Sequence, residues 1–489
     1  MYTFSSKLKT FSFILMAVGI LGIGYGFLTA PKDIQEVEKL LASESHGGHG
    51  EAKHDAVATV AHAPATKHGE VSDVKEAEGT QKTDSVKVDA VTSTEIVAVE
   101  AIHNEASAEK QGHNVIEAAE HKEHLNHVLH QLQNKPWSAL YVACIFFMLI
   151  SLGVLVFYAI QQVAQAGWSP VLFRVMQGIT SYLPVGSVIF FVILILCGLH
   201  FNHLFIWLDP EVVASDKLIA NKSGYLNFPF WIIRAAIFLT GWSVYQYYSK
   251  KNCLAQDEAN DNLNYKKNFN ISAIFLVFFI VSESIMSWDW IMSIDPHWFS
   301  TLFGWYVFAS FFVSAITTIA LVTLYLKSRG FLEYVNTSHI HDLAKFMFGF
   351  SVFWTYLWFS QYMLIWYANI PEEVTYFITR IELYNLPFFG AVVMNFLFPL
   401  LILINTDFKR ITWILVMAGI VILAGHYIDF FNMIMPGTVG DRWFIGVSEI
   451  ASVLFFLGLF VFVVFTALTK NPLLPKRNPF IDESKHFHY

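Results

Sequence analysis

The sequence predicts an all-α integral membrane protein of about ten transmembrane helices. Two observations carry the helix count. The 489-residue chain is 55% hydrophobic and 16% aromatic with only 14% charged residues, and its mean hydropathy is +0.47. Apolar runs near 20 residues recur along it, each long enough to cross a hydrocarbon core of about 30 Å. A third observation, the placement of Lys and Arg between the runs, sets which way the helices face.

The predicted spans are 11–29, 137–163, 183–207, 226–248, 269–290, 301–326, 345–368, 385–404, 411–433 and 444–468. They divide the chain into an N-terminal anchor helix (1–30), a polar segment (31–134), a multi-span membrane domain (135–470) and a C-terminal tail (471–489). The first run also has the form of a secretory signal, with Lys7 and Lys9 ahead of an apolar stretch ending in FLTA. Pro31 follows directly, where a cleavage site needs an accommodating residue, and this favours a retained anchor.

With the N-terminus placed in the cytoplasm, the inside loops and tail hold sixteen Lys and Arg against four in the short outside loops. Residues 31–134 are left out of the comparison, because long segments translocate largely regardless of charge. The bias places both termini in the cytoplasm. The formal charge of −8 gathers in one polar segment and does not point to a nucleic-acid partner. Cys144, Cys197 and Cys253 are far apart and form no CxxC, which argues against an iron–sulfur cluster, c-type haem attachment or disulfide scaffold on this chain.

Residues 31–134 contain no Phe, Trp or Tyr, and 11 of the 19 histidines. Such a composition buries too little apolar surface to offset ordering entropy, so most of the segment is predicted to be disordered. HGGHGEAKH and EHKEHLNHVLHQLQ are its densest stretches, and the second reads as a short helix with His121, His124, His127 and His130 three residues apart. That spacing can bring two imidazoles to one metal ion. A solvated, weakly buffering tail is the plainer reading, because no ligand set fixes a geometry.

Ionisable residues inside spans cost at least ~2.5 kcal/mol each at the centre and are functional candidates by default. Counting about 1.5 Å per helical residue puts them in the outer half of the membrane: Glu283 and Asp289, His200 and His203, His426 and Asp429, Arg234, and Glu449. Ser287 lies one turn from Glu283 and is placed to hydrogen-bond it, and Arg234 is a counter-ion in kind. His426 and Asp429 are i and i+3, on one helix face. Asp295 before Pro296 reads as the N-cap of the sixth span, and the neighbouring tryptophans as an interfacial belt. His297 completes the group. Carboxylates and imidazoles gathered toward the outer face suit the uptake and release of protons, as at a quinol-oxidising site or in a proton-coupled transporter.

Three motifs point to a family. MSWDWIMSIDPHWFSTLFGWYVFA (286–309), FWTYLWFSQYMLIWYANIPEE (353–373) and HYIDFFNMIMP (426–436) closely resemble the F-type membrane subunit of bacterial alternative complex III. That subunit belongs to the polysulfide-reductase membrane-subunit (NrfD-like) superfamily, and the likeness runs from about residue 137 to the C-terminus. The resemblance implies ten spans, eight of them in two four-helix bundles. It implies partners: an iron–sulfur subunit, haem-c subunits, a paralogous membrane subunit and a terminal oxidase, in a lipid bilayer. In such complexes quinol is oxidised and electrons pass toward cytochrome c or an oxidase. The resemblance gives this chain no covalently bound cofactor, makes menaquinone/quinol the ligand class, and maps the proton-path residues onto Glu283, Asp289, Asp295 and His297. The alternatives are a stand-alone proton-coupled transporter and, ranked last, a haem-b protein ligated by His426 with His200 or His203.

Overall fold

Helix is the only regular structure among the described residues of the computed structural model, which are 2–46 and 94–488 for the backbone and 2–42 and 121–488 for side chains. The chain divides into two compact units, one of residues 1–30 with 130–489 and one of residues 31–129. In the smaller unit, α2 (Ile34–His46) opens where the Asp33 carboxylate accepts the Glu36 N–H at 2.9 Å. The second helix among the described residues there is the first part of α3, which runs from Thr94 to Val163. So the described parts of the segment predicted to be disordered are helical over 34–46 and 94–134, in line with the helix propensity of their Ala, Glu and Gln. Residues 47–93, with most of HGGHGEAKH, lie outside the described residues.

The larger unit is the membrane domain. Nine helical segments among the described residues are long and apolar enough to cross a bilayer, so the chain is a multi-spanning membrane protein. They begin with α1 (Ser6–Thr29) and the later part of α3. After α4 (Phe173–Thr180) comes α5 (Leu183–Gly198), and then two short helices, α6 (Pro210–Ser215) and α7 (Lys217–Lys222). Next are α8 (Phe228–Gln256), α9 (Leu263–Trp290) and α10 (Phe303–Ser328). The predicted span 345–368 lies in α11 (Thr337–Ala368), which is long enough to cross but is not among the nine. α12 (Pro371–Glu382) is short and amphipathic, and α13 (Asn385–Val392) and α14 (Phe398–Leu403) share one span. The chain continues with α15 (Thr412–Thr438), α16 (Val447–Leu468) and α17 (Ile481–Lys485).

Capping chemistry sets many of these boundaries. The Asp209 and Asp216 carboxylates accept the Glu211 and Leu218 N–H groups at 2.9 and 2.8 Å, starting α6 and α7. Asn227 caps α8, and Asn336 with His339 forms a reciprocal cap on α11. α5 stops earlier than its apolar run predicts. Its last turn closes with the Phe201 N–H on the Leu196 carbonyl, with His200 in the left-handed region at φ 59°. The span of α13 and α14 is interrupted by a π turn over Val393–Leu397. Pro399 follows it, has no N–H to donate, and presses on the carbonyl one turn back, which accounts for the widening.

α3, α5, α8 and α9 form one four-helix group: Tyr141 on α3 donates to the Trp290 carbonyl on α9 at 2.8 Å and lies 5.3 Å from the Phe190 ring on α5. α10, α11, α13–α14 and α15 form the second group. Gly153 lets α3 close on Ala315 and Phe311 of α10, which joins the two. α1 and α16 flank them as a pair, where Gly19 and Gly22 leave room for Phe455 and Ala451.

Candidate functional site

Most candidate side chains collect toward the predicted outer end of the two groups, in separate neighbourhoods. In the first group, Asp289 near the end of α9 is fully buried and faces Arg234 on α8. Arg234 Nε lies 2.6 Å from Oδ2 and Nη2 lies 2.9 Å from Oδ1, a two-point pairing. The Tyr225 hydroxyl donates to Oδ1 at 2.8 Å, and the guanidinium lies 4.1 and 4.2 Å from the Tyr225 and Phe230 rings. Burial, then the Asp289 charge, raises the Tyr225 phenol above its ordinary value. Trp231 and Ser293 both donate to the Asp289 carbonyl, at 2.9 and 2.7 Å. Arg234 therefore pairs with Asp289 and not with Glu283, the pairing that charge type alone suggested.

Glu283 lies about a turn and a half below Asp289 on α9 and is 5% exposed. Its hydrogen-bond partners are hydroxyls: Ser287 Oγ at 3.0 Å from Oε1 and Ser284 Oγ at 3.4 Å from Oε2. No cation pairs with it among the described residues. Toward the predicted inner end, α9 presents the rings of Phe279 and Phe275, the latter stacked on Tyr245 at 3.9 Å. Beyond them lies a second polar cluster, where the Asn268, Gln162 and Gln177 amides converge on the Tyr158 oxygen at 3.0, 3.0 and 3.1 Å. An apolar step thus separates Glu283 from the inner polar groups.

The second helix group holds the His426–Asp429 pair, and the Nδ1–Oδ2 distance of 3.9 Å keeps both on one face of α15. Asp429 Oδ2 accepts Ser310 Oγ at 2.7 Å and Trp354 Nε1 at 2.8 Å, and Oδ1 accepts the Tyr306 hydroxyl. Ser310 Oγ also meets His426 Nδ1 at 3.0 Å. His426 is completely buried, and its Nε2 has no hydrogen-bond partner.

At the predicted outer surface, His297 Nε2 lies 2.5 Å from Asp216 Oδ2, and Lys222 Nζ lies 2.5 Å from the Pro296 carbonyl. Burial raises the Asp216 carboxyl, but hydrogen bonds from His297 and from the Ile219 and Leu218 N–H groups outweigh it and hold it below its ordinary value. Asp295 does not cap α10, which starts only at Phe303. Its Oδ1 accepts the His297 N–H at 3.3 Å, because Asp-Pro-His here makes a turn between helices.

His203 stacks on His130 with ring centroids 4.6 Å apart, and burial, then His130, lowers its imidazole from the ordinary value. His200 and His203 lie beyond the end of α5, whereas the hydrogen-bond partner of His426 is on α10. Among the described residues no three His, Cys, Asp or Glu side chains gather closely enough to hold a metal ion. Glu449 starts α16, its Oε2 accepting the Gly446 N–H at 2.9 Å.

Sequence reasoning missed Tyr225, Tyr306, Ser310 and Trp354, since a neutral donor has no signal until packing brings it to a carboxylate. No family model matches the chain, and no curated protein matches it.

Proposed function

We propose that the chain is a membrane subunit of a quinol-oxidising respiratory complex, supporting assembly and moving protons near the outer face, with both termini in the cytoplasm. The motifs at 286–309, 353–373 and 426–436 supply the resemblance to alternative complex III, and with it the iron–sulfur, haem-c and paralogous membrane partners and a quinol of the menaquinone class. The observation that carries proton movement is Glu283: a buried carboxylate whose hydrogen-bond partners are hydroxyls, while its neighbour Asp289 is held by an arginine. A group fixed by a guanidinium is a poor carrier of an exchangeable proton, and one held by hydroxyls is a good one.

The test is Glu283→Gln in the purified complex reconstituted into vesicles, with quinol oxidation and proton release measured together. Proton movement per quinol is expected to fall. Unchanged quinol oxidation with unchanged proton movement would remove the role. Proton-coupled transport by this chain alone, with no iron–sulfur or haem subunit in a pull-down, would replace the reading with that of a carrier.

A further inference from the structure

The two helix groups share sequence landmarks in the same order. Ile206-Trp207 and Ile365-Trp366 each precede a Pro-Glu-x-Val that opens a short helix, Pro210 for α6 and Pro371 for α12. Tyr225 and Tyr384 each precede a Pro-Phe in the first turn of the next helix, α8 or α13. Asp289 and Asp429 each stand seven residues before a proline, Pro296 and Pro436, with Ile294 and Ile434 two before it. Each landmark falls at the same step of the helix order in its group, although Ile365-Trp366 and Pro436 lie within α11 and α15, whereas Ile206-Trp207 and Pro296 lie beyond the ends of α5 and α9. The membrane domain is therefore an internal repeat of two four-helix units in parallel, and Asp289 and Asp429 are positional equivalents.

The equivalents have diverged. Counting from the shared Pro-Phe, the place of Arg234 is taken by Val392. The nearest candidate replacement, Arg380 on α12, donates to the main-chain carbonyls of Asn432 at 3.0 Å and Tyr376 at 2.8 Å. Asp429 is left with the neutral donors Tyr306, Ser310 and Trp354, and with His426 at 3.9 Å. The second unit also carries the π turn that the first lacks, and Asn395 sits in it, completely buried, with both amide atoms unpartnered. Its side chain lies against Gly425, the residue before His426, whose Nε2 is also unpartnered. The Asn395 amide oxygen itself takes the place a Gly425 side chain would fill, which brings the amide up to the α15 backbone beside His426.

Buried amides and imidazoles are seldom left without partners, and an ordered water is the usual one where two such groups adjoin. We propose that the π turn of the second unit holds a water between Asn395 and His426, making His426–Asp429 a proton-exchange site separate from the arginine-locked Asp289. One proton is shared along Asp429, Ser310 and His426, and Nε2 exchanges it for one of the water's own. The inference rests on the reading that protons move through this chain.

Two experiments on the whole complex decide it. A high-resolution map is expected to show a water peak within hydrogen-bond reach of both Asn395 and His426. Asn395→Leu, of similar size, is expected to lower the melting temperature by displacing that water. An empty gap in the map, with Asn395→Leu melting higher because an unpartnered amide has been removed, overturns the water site. In reconstituted vesicles Asp429→Asn is expected to cut proton flux by about a hundredfold at normal assembly. Normal flux in Asp429→Asn, with wild type pumping, overturns the exchange role. If wild type moves no protons, the reading of proton movement fails, and the map and melting results still decide the water site.

Discussion

Arg234 grips Asp289 at two points, Nε to Oδ2 at 2.6 Å and Nη2 to Oδ1 at 2.9 Å, and this pair ties α8 to α9 at the predicted outer end. Removing one partner of a buried pair strands the other charge. Arg234→Met or Asp289→Asn alone is expected to cost about 3–5 kcal/mol, and the double variant Arg234→Met/Asp289→Leu to recover most of it. Thermal melting of the purified protein checks this, and single variants that melt like wild type would count against it.

The contact between His297 and Asp216 ties the 291–302 connection to α7. Asp216 is held below its ordinary value, so its stabilisation is complete above the unfolded value near about pH 4 and is lost as pH falls through the lower folded value. Amide exchange in 291–302, taken relative to its intrinsic rate at each pH, should therefore rise on acidification through that window. In Asp216→Asn it should already be fast at neutral pH, and equal exchange in the two proteins would refute the coupling.

A side chain at Gly22 would place its Cβ 2.5 Å from the Ala451 Cβ, so α1 and α16 have no room for one. Gly22→Leu is expected to weaken their packing by about 1–3 kcal/mol. Cysteine cross-linking between the two helices should fall, and Ala451→Gly should restore part of it.

Ser484 on α17 is a small fastener at the predicted inner end. Its Oγ donates to the Trp168 carbonyl at 2.7 Å and accepts the Val171 N–H at 3.2 Å. Ser484→Ala is expected to loosen the tail by about 1–2 kcal/mol. Faster tryptic cleavage at Lys476 and Arg477 is the readout, with no effect expected on the melting of the helix groups.

The spans were legible because twenty apolar residues have one stable home, and the pairings inside one helix were legible because their spacing is fixed. Ser287 on Glu283 and His426 beside Asp429 are of that kind. What sequence did not give was which helix faces which. Arg234 was free to meet either acid of α9, and only the packing of α8 on that helix selects Asp289. The early end of α5 was hidden because a histidine takes the left-handed position that glycine usually marks. The span 385–404 read as unbroken, and nothing in it signalled that a widened turn before Pro399 would bury Asn395.

The pairing of α1 with α16 also bears on how the protein is made. Ala451 is synthesised about 430 residues after Gly22, which at roughly 5–20 residues per second is tens of seconds of translation. During that time the glycine stripe of the first helix has only lipid to lie against. The glycine face of the first helix thus waits for the last of the described transmembrane helices to leave the ribosome before it finds its permanent neighbour.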